Sequence, residues 1–372
     1  MILEREDAIY AAGVFEDYFK NFGRIDEYMK GIKTERMDAL TPTLPGMGFD
    51  TMIFNDFTIN PKDMEFEIYE NQEEYKTLLN VTASHMVEDS IPGKTIKLIV
   101  KEKNTGGVVG FIRFGSPTIN SKPRNEFLGT TPDLAIFNKR VIMGFIIVPT
   151  QPFGFNYLGG KLLSLLAVSK PLRQMLNDKY DCELCMFETT SLYGDIKGCS
   201  QYDGLKPFLR YKGLTDSKFA PLLHDEVFRD LNKFFVDKTN GFIPRKTDQR
   251  QESSYKLKAS GRMVGVIKAS FKKHGMPEAH QAFTKVMTDA IDLTTRKRTY
   301  FSDYGFSNVK EVLLGQETEL KKGQNYDKYD LDYLIPWWKN KAQKRFDNLK
   351  DQDRLRTEVE IWNEGTDIDI IR

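Results

Sequence analysis

Two stretches of the chain group residues able to do chemistry. The first is Gln151-Pro-Phe-Gly154-Phe-Asn156, followed closely by Gly159-Gly160-Lys161. A helix that starts directly after a buried strand presents unpaired backbone N–H groups and a positive dipole end, a natural seat for a phosphate. Here the glycines would allow close backbone approach and Lys161 would add a cation. The plainer alternative is that Gly159 and Gly160 only let a helix pack tightly on a sheet. The second stretch is Phe187-Glu188-Thr189-Thr190-Ser191-Leu192-Tyr193-Gly194, with Ser200, Gln201, Tyr202 and Asp203 shortly after it. Ligand sites in open α/β sheets gather at the carboxyl ends of strands. Glu188 would act there as a general base or orient a substrate amine. It could equally cap a helix or pair with a core arginine.

The remaining chemistry-bearing residues are sparse. Cys182-Glu-Leu-Cys185 has the spacing of a metal knuckle, but no second pair exists and Cys199 is the other thiol. The pair is expected in an apolar strand, where residues three apart point to opposite faces. The histidines, at 85, 224, 274 and 280, have neither HExxH nor HxH spacing, and no metal site is expected. His85 is expected late on a core-facing helix, as a satisfied buried histidine or a reserve base. Walker A, nucleophile-elbow and kinase signatures are absent from the sequence.

Elements that would position these groups follow from periodicity. Helical spacing marks residues 1–30 and 66–87, and Thr41–Gly48 reads as a loop. Pro92-Gly93 turns the chain into a strand at Thr95–Lys101, and Asn104-Thr-Gly-Gly107 makes a hairpin with Val108–Gly115. Arg140–Pro149 has the continuous apolar character of a strand covered on both faces. A helix at Tyr157–Val168 and strands at Glu183–Phe187 and Phe208–Lys212 follow. Beyond about residue 222 the period is helical, at 224–237, 260–274, 278–293 and 333–350. The expectation is an α/β protein with a mixed central sheet and flanking helices. An N-terminal elaboration (1–65), an α/β core (66–221) and a mainly helical C-terminal domain (222–372) would divide the chain.

Composition narrows the class. The 372 residues are 40% hydrophobic and 29% charged, as in ordinary globular proteins. No apolar run reaches the roughly 18 residues of a membrane span, the N-terminus lacks signal-peptide character, and three cysteines fit a reducing cytoplasm. The net charge of +1 hides an uneven distribution. Residues 1–90 carry 19 acidic against 8 basic side chains, and residues 255–298 carry 10 basic against 3 acidic. Within the basic segment, Lys268, Lys272, Lys273 and Arg296-Lys297-Arg298 precede Tyr300, Phe301 and Tyr304. Cations interleaved with aromatics can track a phosphate backbone and stack bases; a solvated helix face is the alternative. The acidic front would compete with nucleic acid for this segment, so deleting residues 1–60 would raise DNA affinity.

The order strand, hairpin, strand, Gln-x-x-Gly loop, helix, strand resembles the GCN5-related N-acetyltransferases (GNAT). Gln151-x-x-Gly154 opens that family's Q/R-x-x-G-x-G/A pattern, and Asn156 departs from its last position. Val108–Thr215 resembles two GNAT-related groups more closely: the phage Mom proteins, which modify adenine in DNA, and the Druantia A domain of an anti-phage system. Arg124, the strand Arg140–Pro149, Asn156 with Leu158, Lys179-Tyr180, Phe187-Glu188-Thr189 and Gly198-Cys199-Ser200-Gln201-Tyr202 carry that likeness, and His85 falls near a His-Tyr-Leu segment of the Druantia group. The whole chain looks like a protein of T-even-type phages. The resemblance implies a GNAT-like transferase that modifies a base in DNA, in the cytoplasm of an infected host. Acetyl-CoA or another acyl-CoA would be held by Gln151, Gly154, Asn156, Gly159 and Lys161. Glu188, Tyr202 and His85 would be catalytic, and Arg124, Arg140, Thr189, Ser191 and Ser200 would bind substrate. The alternative is a nucleic-acid-binding or host-takeover protein on the same scaffold with no donor.

Overall fold

The computed structural model describes residues 1–38, 49–86, 93–192, 198–218, 222–223, 225–242, 253–292 and 296–362. The expected loop at 41–48 and the stretch 193–197 lie outside them. In chain order the elements are α1 (Arg5–Phe19), α2 (Ile25–Asp38), α3 (Phe49–Met52), β1 (Phe66–Tyr69), α4 (Gln72–Val81), β2 (Thr95–Glu102) and β3 (Val108–Gly115). Next come α5 (Lys122–Leu128), α6 (Leu134–Arg140), β4 (Val141–Pro149), α7 (Phe153–Tyr157), α8 (Gly159–Ala167), α9 (Lys170–Tyr180), β5 (Met186–Ser191) and β6 (Arg210–Lys218). The chain ends with α10 (Asp225–Lys238), α11 (Ser253–Lys273), α12 (Pro277–Asp292), β7 (Arg296–Ser302), α13 (Val309–Leu313) and α14 (Leu331–Asp351). The protein is α/β, with a mixed sheet flanked by helices. No helix among the described residues is long and apolar enough to cross a membrane.

The chain forms two compact units whose boundaries differ from the expected division. One unit comprises the described residues of Met1–Glu35 and Ser217–Thr295, and the other those of Arg36–Glu88, Pro92–Asp216 and Arg296–Arg372. The reason is visible in the packing of α1. Its small residues Ala8, Ala11 and Ala12 are buried, which lets α1 lie close against α11 and α12. Phe15 meets Phe283 edge-on at 5.9 Å, and the Leu3 N–H donates to Ser270 Oγ at 2.8 Å. The first part of the acidic front, Met1–Glu35, therefore belongs to the same unit as α11 and α12, and the described rest of the front belongs to the other unit. Deleting residues 1–60 would dismantle that unit, so the proposed deletion is no test of charge competition.

The second unit holds the sheet, in strand order β1-β2-β3-β4-β5-β7-β6. β1 to β4 pair antiparallel, and β4 and β5 are parallel. Parallel pairing runs only from Val141–Met186 to Gly144–Thr189, although β4 continues to Pro149 against β3. β7 then pairs antiparallel with β5, Glu188 opposite Phe301 and Ser191 opposite Arg298. Two expectations are corrected here. Residues 66–87 are not one helix: Phe66–Tyr69 is an edge strand on β2 and only Gln72–Val81 is helical, started by Asn71, whose side chain accepts from the Glu74 N–H. Arg296-Lys297-Arg298 lies on a sheet strand and does not extend the cationic helix α11.

Candidate functional site

The expected phosphate loop is filled by the protein itself. α7 is a single turn and α8 starts at Gly159, with Leu158 in the left-handed region (φ 56°) between them. A Cβ on Gly159 would sit 2.6 Å from the Phe153 ring, and one on Gly160 would sit 2.3 Å from Gln201 Oε1. These glycines serve tight internal packing. Gln151 Oε1 accepts from the Phe155 N–H at 3.1 Å. Asn156 exchanges two hydrogen bonds with the Arg356 backbone, Nδ2 to O at 2.7 Å and N to Oδ1 at 3.2 Å. The Glu360 N–H donates to Gln151 O at 3.0 Å, and the Trp362 N–H to Val81 O at 2.7 Å. The segment after α14 thus clasps the loop and ties it to the end of α4. Trp338 of α14 adds a bond from Nε1 to Tyr157 O at 3.1 Å. Lys161 is turned away, donating to the carbonyls of Asp203 and Gln201, and burial lowers its pKa. The amide at Asn156 holds chain, which is why a glycine or alanine would not serve there.

Glu188 is not available as a base. Arg124 Nη1 donates to both of its carboxylate oxygens, at 2.9 and 2.8 Å, with the two side chains 0% and 4% exposed. Nη2 of Arg124 donates to Thr118 O and Ile119 O, each at 2.7 Å, and its guanidinium lies 4.3 Å from the Phe137 ring centroid. Burial pushes the Glu188 carboxyl above its usual range, and the Arg124 charge opposes that push. This is the core-arginine alternative that the residue types allowed. Adjacent strand residues face opposite sides, so Thr189 points the other way: its Oγ1 donates to Gly144 O at 2.9 Å and is hydrogen-bonded to the Tyr202 hydroxyl at 3.2 Å. Glu188 and Tyr202 therefore sit on opposite faces of the sheet and cannot handle one proton together.

The face that carries Thr189 gathers the polar groups. Asp203 accepts from Tyr300 Oη at 2.8 Å, from the Ser200 N–H at 2.9 Å and from Arg298 Nη2 at 3.5 Å. Tyr202 lies against Tyr300, ring centroids 5.1 Å apart, and Arg298 stacks on Tyr211 at 4.6 Å. Gln201 Nε2 donates to Ile147 O at 2.9 Å, capping the edge of β4 where its pairing with β5 has ended. Tyr202 is buried, which raises its pKa. Asp203, Tyr300 and Tyr211 join Tyr202, Ser200 and Thr189 here; the sequence marks Asp203 and Tyr300 only as polar or aromatic residues, because the pairing of β7 with β5 joins segments far apart along the chain. Ser191 ends β5 opposite Arg298.

The other candidates are dispersed. His85 lies in the bend after α4, outside any helix. Arg140 closes α6, paired with Glu183 and donating from Nη2 to Thr318 O at 2.9 Å; these ties make it structural. Cys182 and Cys185 precede β5. Among the described residues, no group of three or more His, Cys, Asp or Glu is placed to hold a metal. Of the basic run on β7, Arg296 is exposed, Lys297 donates its backbone N–H to Thr215 Oγ1 at 3.0 Å and Arg298 is engaged by Asp203.

α11 is different. Its apolar side, Ala259, Met263, Ile267 and Phe271, is buried. Its 21 residues include six Lys or Arg and no acid. Lys258, Arg262, Lys272 and Lys273 are exposed and Lys268 half-buried. Among the described residues, none of these five pairs with a carboxylate. Between them Gly261 and Gly265 are also exposed, with nothing among the described residues within 4 Å of a Cβ placed on either. In comparisons with known proteins, no family model, curated protein or solved structure matches the chain.

Proposed function

We propose that the chain is a nucleic-acid-binding protein on a GNAT-like sheet whose donor loop is closed by its own C-terminal segment. The observation that carries this reading is the set of five unpaired cations on α11. Like charges four apart, as in Lys258/Arg262 and Lys268/Lys272, each cost a helix roughly 0.2–0.5 kcal/mol. Each exposed glycine costs about 1 kcal/mol more than alanine, and among the described residues no internal contact explains Gly261 or Gly265. A polyanion resolves both costs: it neutralises the cations, and the bare glycines let its backbone come close.

The test is binding of a labelled random-sequence DNA, duplex and single-stranded, by the full chain across a salt series. If all five cations meet duplex phosphates, the slope of log K against log salt is about −4.5, and affinity falls about 500-fold from 50 to 200 mM salt. Neutralising Lys268, Lys272 and Lys273 to Gln flattens the slope by about 3 units. An unchanged slope refutes the assignment to α11, and salt-insensitive or absent binding refutes the function.

A second reading, a transferase that modifies a base in DNA from an acyl-CoA-like donor, is favoured by the polar cluster Thr189, Ser200, Tyr202, Asp203 and Tyr300 on one sheet face. Mass spectrometry of host nucleosides separates the two: a modified nucleoside that disappears with Tyr202→Phe supports the transferase, and unmodified DNA supports the binding protein.

A further inference from the structure

Arg173 poses a physical problem that nothing so far resolves. It is 8% exposed, and its Nε donates to Leu184 O at 2.6 Å. Its guanidinium lies over the Phe306 ring at 4.6 Å and near the Tyr304 ring at 5.7 Å. Among the described residues no carboxylate pairs with it, and its two terminal nitrogens donate to no protein acceptor. Arg124, a buried arginine on α5, by contrast has Glu188 as its partner. A largely buried charge without a counter-charge is costly, and the Leu184 hydrogen bond and the Phe306 ring offset only part of that cost.

Arg173 is one of the residues that line a cleft. Its volume is about 540 Å³, and Arg173, Gln174, Asn177, Asp178, Asp181 and Glu183 line it, at the carboxyl end of α9. Two of the three carboxylates are engaged: Asp178 accepts from Gln174 Nε2 at 2.7 Å and Glu183 pairs with Arg140. Asp181 is exposed and has no partner among the described residues. It follows α9 in the left-handed region, at φ 46°, so it stands beside the last carbonyls of that helix. The cleft thus offers a planar guanidinium fork within and a free carboxylate at a negative helix end on its rim.

We propose that this cleft binds a small amino-carboxylate, its carboxylate on Arg173 and its protonated amine at Asp181. The planar fork matches a carboxylate bidentately. The helix carbonyl end and the rim acids favour a cation and disfavour a phosphate dianion. Asn177 adds a donor: its Oδ1 is taken by the Leu184 N–H at 2.9 Å, leaving Nδ2 for the ligand's second carboxylate oxygen.

The experiment is a titration of the full chain with glycine, propionate and propylamine at fixed ionic strength and pH, read by the Arg173 Nε–H resonance. Glycine should saturate the shift, propionate should need at least tenfold more ligand, and propylamine should leave the resonance in place. Asp181→Asn, a change that the left-handed backbone tolerates, should bring glycine to the level of propionate. Arg173→Met, read on the Asn177 side-chain amide, should abolish both responses. Because Arg173→Met also removes packing on Phe306, Asp181→Asn carries the test if that variant does not fold. A glycine response that never saturates, equal responses to glycine and propionate in the wild type, or a wild-type pattern in Asp181→Asn overturns the proposal.

Discussion

Glu188→Gln separates a catalytic carboxylate from a structural one, because the two roles predict opposite stability outcomes. A catalytic Glu188 would lose activity on amidation with little change in stability. In the pair seen here, Arg124 and Glu188 are 0% and 4% exposed and joined by hydrogen bonds of 2.9 and 2.8 Å. Removing one partner of a buried pair leaves a buried charge and costs about 3–5 kcal/mol. Gln keeps one acceptor oxygen, and Thr118 O and Ile119 O still hold Nη2, so the expected loss lies at the lower end, about 3 kcal/mol. With a urea slope of about 3 kcal/mol per molar, the midpoint moves down by about 1 M. The double variant Arg124→Met/Glu188→Leu, which removes both charges, should recover most of that loss. The assay is urea unfolding followed by near-UV circular dichroism. A Glu188→Gln midpoint within 0.2 M (about 0.6 kcal/mol) of wild type would refute the structural assignment, as would a double variant no more stable than the single one.

Three further outcomes are expected. Lys33 on α2 is fully buried and burial lowers its pKa to about 7; between about pH 7 and the unfolded lysine value the unfolded chain binds the extra proton, so stability should rise with pH there, by up to about 1.4 kcal/mol per unit. Lys33→Met should flatten that slope in unfolding curves taken from pH 7 to 10, and a slope that survives the change would assign it elsewhere. Cys199 is exposed while Cys185 is buried with its thiol pushed up to about 12, so iodoacetamide at pH 8 should label Cys199 in the native protein and Cys185 only after unfolding; peptide mass spectrometry reads the difference, and equal labelling contradicts the burial. Asn156→Ala should free the clasp at Arg356 and raise amide hydrogen exchange at Glu360 and Trp362 by about 5- to 30-fold, for a loss of about 1–2 kcal/mol, whereas unchanged exchange would show that Asn156 does not hold the segment.

Legibility in the sequence followed the range of the interactions. The hairpin Thr95–Glu102/Val108–Gly115, the strand ending at Pro149 and helices α8, α10, α12 and α14 all fall within a few residues of their periodicity, because local alternation and one-sided apolar spacing decide them. The Phe66–Tyr69 strand was masked by helical spacing continuing into α4; only its partner β2 makes it a strand. β7 was hidden for a similar reason. Its alternation of Arg298, Tyr300 and Ser302 with Lys297, Thr299 and Phe301 reads as a basic, aromatic tail until β5 is set beside it. At the site, residue types marked where polar groups collect but not which face each one takes. Glu188 and Thr189 are neighbours in sequence and belong to different surroundings. Asn156 departs from a glycine or alanine because the segment it grips is 200 residues away along the chain.

The position of β7 between β5 and β6 also bears on synthesis. Residues 192–295 separate the end of β5 from the start of β7, so 104 residues must leave the ribosome before that edge of β5 is covered. At roughly 5–20 residues per second this takes about 5–20 s. In that interval the nascent chain carries an open strand edge flanked by Phe187, a template for pairing with another chain. The helix α11 made in between, with six Lys or Arg and no acid, is well suited to keep such chains apart until Arg296–Ser302 arrives to close the sheet.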